Sequence, residues 1–292
     1  MHIPYRGETQ ELNDTTRQSA GGSFIALTDG VTHYELGRNE SADVVVLVHG
    51  FSVPYFIYDP TFEFLSQAGF RVLRYDLFGR GFSDRPDTRY NIDLFVRQLS
   101  DLLDALRLPL PVNLIGLSMG GTITATFTAR HPERVRSLTL IDPAGARSLA
   151  GSPLLRLVKL PFIADAIVSV VGGEPFVDSN AKDFFDPKLI EHFKSRYRVQ
   201  MQYKGFLHAI LSSIRNGMID SFIDVYSQVG KMDKPVLLFW GRDDKTVPFE
   251  HSHDLQVAMP NVQFHVIEHC GHIPHYEKPE EVNPILMEFL KR

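Results

Sequence analysis

The chain has 292 residues, 43% of them hydrophobic and 22% charged, with a formal net charge of -5. That length buries a sizeable core in one large domain or two small ones, and the mild acidity offers no basic field for nucleic acid. Cys270 is the single cysteine, so an internal disulfide is excluded and a reducing, cytoplasmic setting is the default expectation.

The first segment, MHIPYRGETQELNDTTRQ, is polar throughout and lacks the apolar centre of an export signal. Short apolar runs then alternate with longer amphipathic ones, the pattern of a mostly parallel sheet covered by helices. The runs predict eight strands: Phe24–Thr28, Thr32–Leu36, Val44–Val48, Arg71–Tyr75, Val112–Leu117, Ser137–Ile141, Val236–Trp240 and Gln263–Ile267. From the third onward they are continuously apolar, as strands buried on both faces are. Helices are predicted at Tyr58–Ala68, Ile92–Leu106, Met119–His131, Glu250–Ala258 and Glu280–Lys291. In Ile92–Leu106 the apolar residues recur at helical spacing on one face.

Between about Ala146 and Met232 the alternation stops, and helix-favouring stretches such as Pro187–Gln202 take over. The reading is an α/β core in two parts, residues 1–145 and 232–292, with a helical cap inserted at 146–231, at a strand end where loop variation is tolerated and sites form. The most apolar stretch, Pro153–Val171, is broken by Arg156, Lys159 and Asp165, so stable insertion in a bilayer is not expected. Transient contact with a lipid surface stays open, because basic residues lie beside apolar ones. Most of these apolar residues are expected to pack the cap onto the core, but Leu154 and Phe162 are candidates to line a groove.

The chemistry begins at Gly116-Leu117-Ser118-Met119-Gly120-Gly121, directly after a predicted strand and directly before a predicted helix. In that context the glycines allow a tight strand-to-helix turn that presents the Ser118 hydroxyl. A serine hydroxyl is a poor nucleophile near neutral pH and needs a histidine base, itself oriented by an acid. His272, in the loop after the last strand, is the candidate base. Trp240-Gly241-Arg242-Asp243-Asp244 places two acids at the end of a strand, of which Asp244 is favoured; Asp243 and Asp142, the latter just after another strand, compete with it. The backbone N–H groups of Phe51, in Val48-His49-Gly50-Phe51, and of Met119 are placed to hold the negative charge that develops on an attacked carbonyl oxygen. Val247 and Ile273, beside the acid and the base, are candidate pocket residues.

Together these motifs resemble the α/β-hydrolase superfamily over about Val44–Gly145 and Lys234–Arg292, leaving the cap and the N-terminal arm unmatched. The nearest look is to its capped serine carboxylesterase and monoacylglycerol-lipase-like members. Asp76-Leu77-Phe78-Gly79-Arg80-Gly81-Phe82-Ser83 is similar to a loop of that family and reads as scaffold. The resemblance implies an eight-stranded, mostly parallel sheet and hydrolysis of short to medium acyl esters through an acyl-enzyme, with no metal and no organic cofactor. Dehalogenases and epoxide hydrolases of the superfamily carry an aspartate where Ser118 stands. Its carbon–carbon bond hydrolases, of the meta-cleavage type, share the serine and the paired aspartates. They typically have a glycine-rich turn where this chain has Phe51-Ser52, and often a tryptophan where it has Ile273, which places that reading second. A non-catalytic small-molecule receptor on the same fold is a third. The partner expected is a small ester substrate, not nucleic acid; the oligomeric state is not readable.

Overall fold

A computed structural model describes residues 5–40, 42–151, 158 and 163–292. Eight strands form one sheet: β1 (Ser23–Leu27), β2 (Gly30–Leu36), β3 (Val44–Val48), β4 (Arg71–Tyr75), β5 (Val112–Leu117), β6 (Val135–Ile141), β7 (Val236–Gly241) and β8 (Gln263–Ile267). Their order is β1-β2-β4-β3-β5-β6-β7-β8. The β1–β2 and β2–β4 pairs are antiparallel, and every pair from β4 to β8 is parallel. This is the mostly parallel, helix-covered sheet that the alternation predicted and the α/β-hydrolase fold that the resemblance implied. The central strands β3, β5 and β7 are buried along their whole length, because helices cover both faces of the sheet.

The helices are α1 (Asp14–Gln18), α2 (Asp59–Gln67), α3 (Ile92–Ala105), α4 (Met119–Arg130), α5 (Ile163–Val171), α6 (Glu174–Asn180), α7 (Ile190–Met201), α8 (Phe206–Arg215), α9 (Ile223–Gly230), α10 (His251–Ala258), α11 (Pro274–Glu277) and α12 (Pro279–Leu290). On one face α3, α4, α9 and α10 pack with Leu99, Phe127, Tyr226 and Trp240. On the other, α2 and α12 bring Leu65, Val282, Leu286 and Phe289 against Val45, Leu47 and Phe239. α3 shows the local logic: the Asn91 side chain caps its start by accepting from Leu94 N at 3.0 Å, and its apolar stripe of Phe95, Leu99, Leu102 and Leu103 is buried.

Between β6 and β7 every described element is helical. α9, which the sequence groups with the insertion, packs instead against α4 and α10 on the flank of the sheet. The N-terminal arm runs across the other insertion helices. Tyr5 Oη donates to Asp165 Oδ1 at 2.7 Å, and the Glu8 carboxylate accepts from Gly205 N at 2.8 Å and Leu207 N at 2.6 Å, closing the first turn of α8. None of the described helices is long and apolar enough to cross a membrane.

Candidate functional site

The six buried residues of β5 deliver the chain to Ser118, which takes φ 52° and ψ -120° before α4 begins. A side chain with a Cβ is strained at such a φ and stays there only when its surroundings fix it. Here they do. Ser118 N donates to Ile141 O at 2.9 Å, and Ser118 O accepts from Gly121 N at 2.9 Å and Ala144 N at 3.1 Å. A Cβ on Gly120 would lie 2.1 Å from Val48 O, and one on Gly116 2.4 Å from Gly120 O, so β3, β5 and α4 approach more closely than any side chain permits.

The loop after β3 lies against this turn: a Cβ on Gly50 would be 3.2 Å from the Ser118 Cβ. His49 Nε2 accepts from Leu77 N at 2.9 Å, which leaves its Nδ1–H to donate to Gly50 O at 2.9 Å. Burial pulls the His49 ring down to about 4, so it is a neutral brace near pH 7. Arg80, fully buried, donates through Nε to Phe51 O at 2.8 Å and through Nη2 to Ser213 Oγ of α8 at 2.8 Å. The loop read from sequence as scaffold therefore holds the Phe51 carbonyl. The Phe51 amide donates to no described protein acceptor, and Met119 opens α4, where amides have no intrahelical acceptor. Both residues border the same cavity as Ser118.

Asp244 and His272 meet across two loops, with His272 Nδ1 2.7 Å from Asp244 Oδ2. The other Asp244 oxygen accepts from Thr246 N at 2.8 Å and Val247 N at 2.9 Å. Burial pulls the His272 pKa down, but the charge and hydrogen bond of Asp244, joined by the charge of Asp183, outweigh it and leave the ring above its usual value. His272 N donates to Asp183 O at 2.8 Å. Glu277 ties the same loop to the insertion: one oxygen accepts from Gly271 N at 2.9 Å, the other from Phe185 N and Asp186 N, both at 2.7 Å.

The competing acids sit differently. Asp243 is half-buried, neither bonds His272 nor lines the cavity, and donates through its backbone to Cys270 O at 2.9 Å. Asp142 is fully buried beside Asp244, its Oδ1 accepting from Gly241 N at 2.8 Å. Burial first, then the charge of Asp244, holds its carboxyl well above the usual carboxylate range. One oxygen each of Asp142 and Asp244 and a ring nitrogen of His272 lie within 4.8 Å of one another, the span a cation needs, and within the group Asp244 and His272 are hydrogen-bonded at 2.7 Å.

A cavity of about 490 Å3 opens over Ser118 and His272. Leu117, Met119, Ile214, Met218 and Ile273 give it an apolar floor, while Asn180, Lys182, Asp183, Lys245 and Thr246 give it a polar rim. The serine hydroxyl and the imidazole share this space without a hydrogen bond between them. Ile273 lines the cavity as the sequence suggests, but Val247 does not: its side chain is fully buried in the core and its amide holds Asp244. Leu154 and Phe162 lie outside the described residues.

Sequence reasoning missed Asn180, Lys182 and Asp183, which come from the end of α6 and the single turn after it and carry no motif of their own. Asp183 is buried, bonds Thr246 Oγ1 through its carboxylate, and is lifted to about 6 by that burial against the opposing pull of the nearby imidazole.

A sheet of this order, with a strained serine turn, an imidazole and a buried acid at the ends of parallel strands, is that of a hydrolase. Residues 45–285 match the alpha/beta hydrolase family, and the chain belongs to that family. Among curated relatives it is similar to the 2-hydroxy-6-oxononadienedioate/2-hydroxy-6-oxononatrienedioate hydrolase 1 of Dechloromonas aromatica (strain RCB), with 28% identity over 95% of this chain and 98% of that protein. Among solved structures it resembles a meta-cleavage product hydrolase from Pseudomonas fluorescens IP01, with 25% identity, a TM-score of 0.75 and coverage of 92% and 97%. It shares its fold with an enol-lactonase from Burkholderia xenovorans LB400, at 22% identity and a TM-score of 0.78 over 92% of this chain and all of that one.

Proposed function

We propose that this protein hydrolyses the carbon–carbon bond beside the ketone of a 2-hydroxy-6-oxo-dienoic acid bearing a second carboxylate, using Ser118, His272 and Asp244. The observation that carries the reading is the rim of the cavity. Lys182 and Lys245 both border it, and no carboxylate pairs with either among the described residues. A neutral acyl ester has no use for two cations there, whereas a dicarboxylate of the kind named for the curated relatives does. This favours the carbon–carbon reading over the simple ester that the motifs alone suggest.

In this reading Ser118 Oγ adds to the 6-oxo carbon while His272 Nε2 takes its proton, and the amides of Phe51 and Met119 receive the developing oxyanion. The carbon–carbon bond can break heterolytically only if its electrons have somewhere to go. The conjugated 2-oxo tautomer accepts them as a dienolate, and the imidazolium protonates the departing fragment. Water, deprotonated by His272, then releases the acid from Ser118, restoring the enzyme at the expense of one water. Asp244 keeps the proton on Nδ1 throughout. These steps draw on the named side chains and water alone.

Ester hydrolysis is the second reading, supported by the apolar floor around Ile273. Turnover of a synthetic 2-hydroxy-6-oxo-dienedioate, followed by loss of its conjugated absorbance, should exceed that of p-nitrophenyl esters of graded length by at least about tenfold in kcat/KM, the equivalent of 1.4 kcal/mol at the barrier. The reverse preference would return the ester reading to first place. Labelling of Ser118 by a fluorophosphonate with no turnover of either class would favour a receptor.

A further inference from the structure

The acid pair at the ends of β6 and β7 holds more than the orienting of His272 requires. Asp142 has φ 40° and is fully buried, and its Oδ2 is a buried oxygen with no hydrogen-bond partner. Around it stand Asp244 and His272, within the 4.8 Å cluster, with the charge of Glu277 and the Cys270 thiol also acting on it. No cation among these groups faces Asp142 except the imidazole, and that is already bonded to Asp244.

Two carboxylates side by side in a dry site do not both ionise. The donors decide which keeps its charge. Asp244 accepts from Thr246 N, Val247 N and the His272 ring, whereas Asp142 accepts from Gly241 N alone. Two ionised acids are acceptors only and cannot bond one another, but a proton on Oδ2 would give the orphaned oxygen a donor to share with Asp244.

We propose that Asp142 is a positioning residue that stays protonated in the working enzyme and donates its O–H to the Asp244 carboxylate, so that the orienting acid is itself held and tempered by a second, neutral acid. The inference rests on the serine-hydrolase reading for its relevance to turnover, but not for its detection. Delocalising the Asp244 charge onto a donor weakens its grip on the imidazolium and keeps the base from being tied up as a cation.

The test reads the His272 ring directly, by NMR titration in the intact protein. An Asp142→Asn variant keeps an acceptor for Gly241 N and offers an N–H to Asp244, so it imitates the protonated acid. The ring should titrate in this variant as in the wild type. In Asp142→Ala the donor is lost, Asp244 holds the imidazolium more tightly, and the titration should move to higher pH. If Asp142 were instead ionised, removing its negative charge would shift the ring to lower pH in both variants, and that result would overturn the proposal. Difference infrared spectra at about pH 8, where Asp183 at about 6 is ionised, should show a carboxylic-acid carbonyl band in the wild type that disappears in Asp142→Asn. No such band would be equally fatal. In turnover, Asp142→Asn should stay within about threefold of wild type while Asp142→Ala loses about tenfold or more, as for a hydrogen bond to a charged group. The serine-hydrolase reading is checked separately by Ser118→Ala: activity surviving that change would sink it while leaving the ring titration to judge Asp142.

Discussion

Replacing Asp244 with asparagine should abolish most turnover while leaving the fold in place. The Asp244 Oδ1 accepts from Thr246 N and Val247 N, and these two amides still need an acceptor in the variant. The asparagine carbonyl oxygen must therefore take that side, which turns its NH2 toward His272 Nδ1, where Asp244 Oδ2 now stands at 2.7 Å. Two donors cannot face each other, so the ring moves its proton to Nε2, the nitrogen that must accept from Ser118. A tautomer error of this kind lowers kcat by about 10^4, or about 5 kcal/mol at the barrier. The loss of folding stability should be far smaller, about 1–3 kcal/mol, since one charged hydrogen bond is removed and two backbone bonds are kept. Steady-state kinetics beside thermal melts would separate the two effects. A variant keeping more than about one-hundredth of wild-type kcat, or an Asp142→Asn variant damaged equally, would show that the imidazole takes its orientation elsewhere.

Other consequences are as direct. His272 acts as a base only when neutral, and its ring is held above the usual 6.5, so the acidic limb of kcat/KM should lie above that pH and activity should rise through it; a limb below 6.5 would contradict the Asp244 contact. Gly120→Ala would push a Cβ to 2.1 Å from the Val48 carbonyl, backbone that cannot yield, and should lower stability by about 3 kcal/mol with loss of fluorophosphonate labelling. Lys182→Ala and Lys245→Ala should each raise KM for a dianionic substrate by about threefold relative to that for a neutral ester, and more so at low salt. Glu8→Ala removes the acceptor for Gly205 N and Leu207 N, and urea denaturation should register a loss of about 1–2 kcal/mol.

The sheet was legible because its signal is local. All eight strands fall within two residues of where the apolar runs place them, and the slips have simple causes. β2 begins at Gly30 rather than Thr32, since the hairpin from Leu27 closes on the glycine. β6 begins at Val135 because Arg136 sits exposed, paired with Asp43, and a charge there masks the strand. Ser118, Asp244 and His272 were nameable because each follows a strand in a recognisable turn. Asp244 was favoured over Asp142 on loop position, but both follow strands, and it is the contact with Nδ1 that separates them. The rim was hidden: Lys182 and Lys245 are 63 residues apart and meet only through the docking of the insertion, as Asp183 and Thr246 do. The N-terminal arm carries no periodicity at all, and its order comes from partners such as Asp165, Gln202 and the start of α8.

The double grip of Glu277 bears on any attempt to re-engineer this enzyme by exchanging its insertion. That carboxylate clasps the amides of Phe185 and Asp186 with one oxygen and Gly271 with the other, while the Asp183 carbonyl takes the His272 amide. A transplanted segment that omits this four-residue landing strip would leave the imidazole's own main chain with vacant partners, however well the graft folds. Chimeras should therefore be cut outside residues 183–186, with the new specificity drawn from the helices on either side.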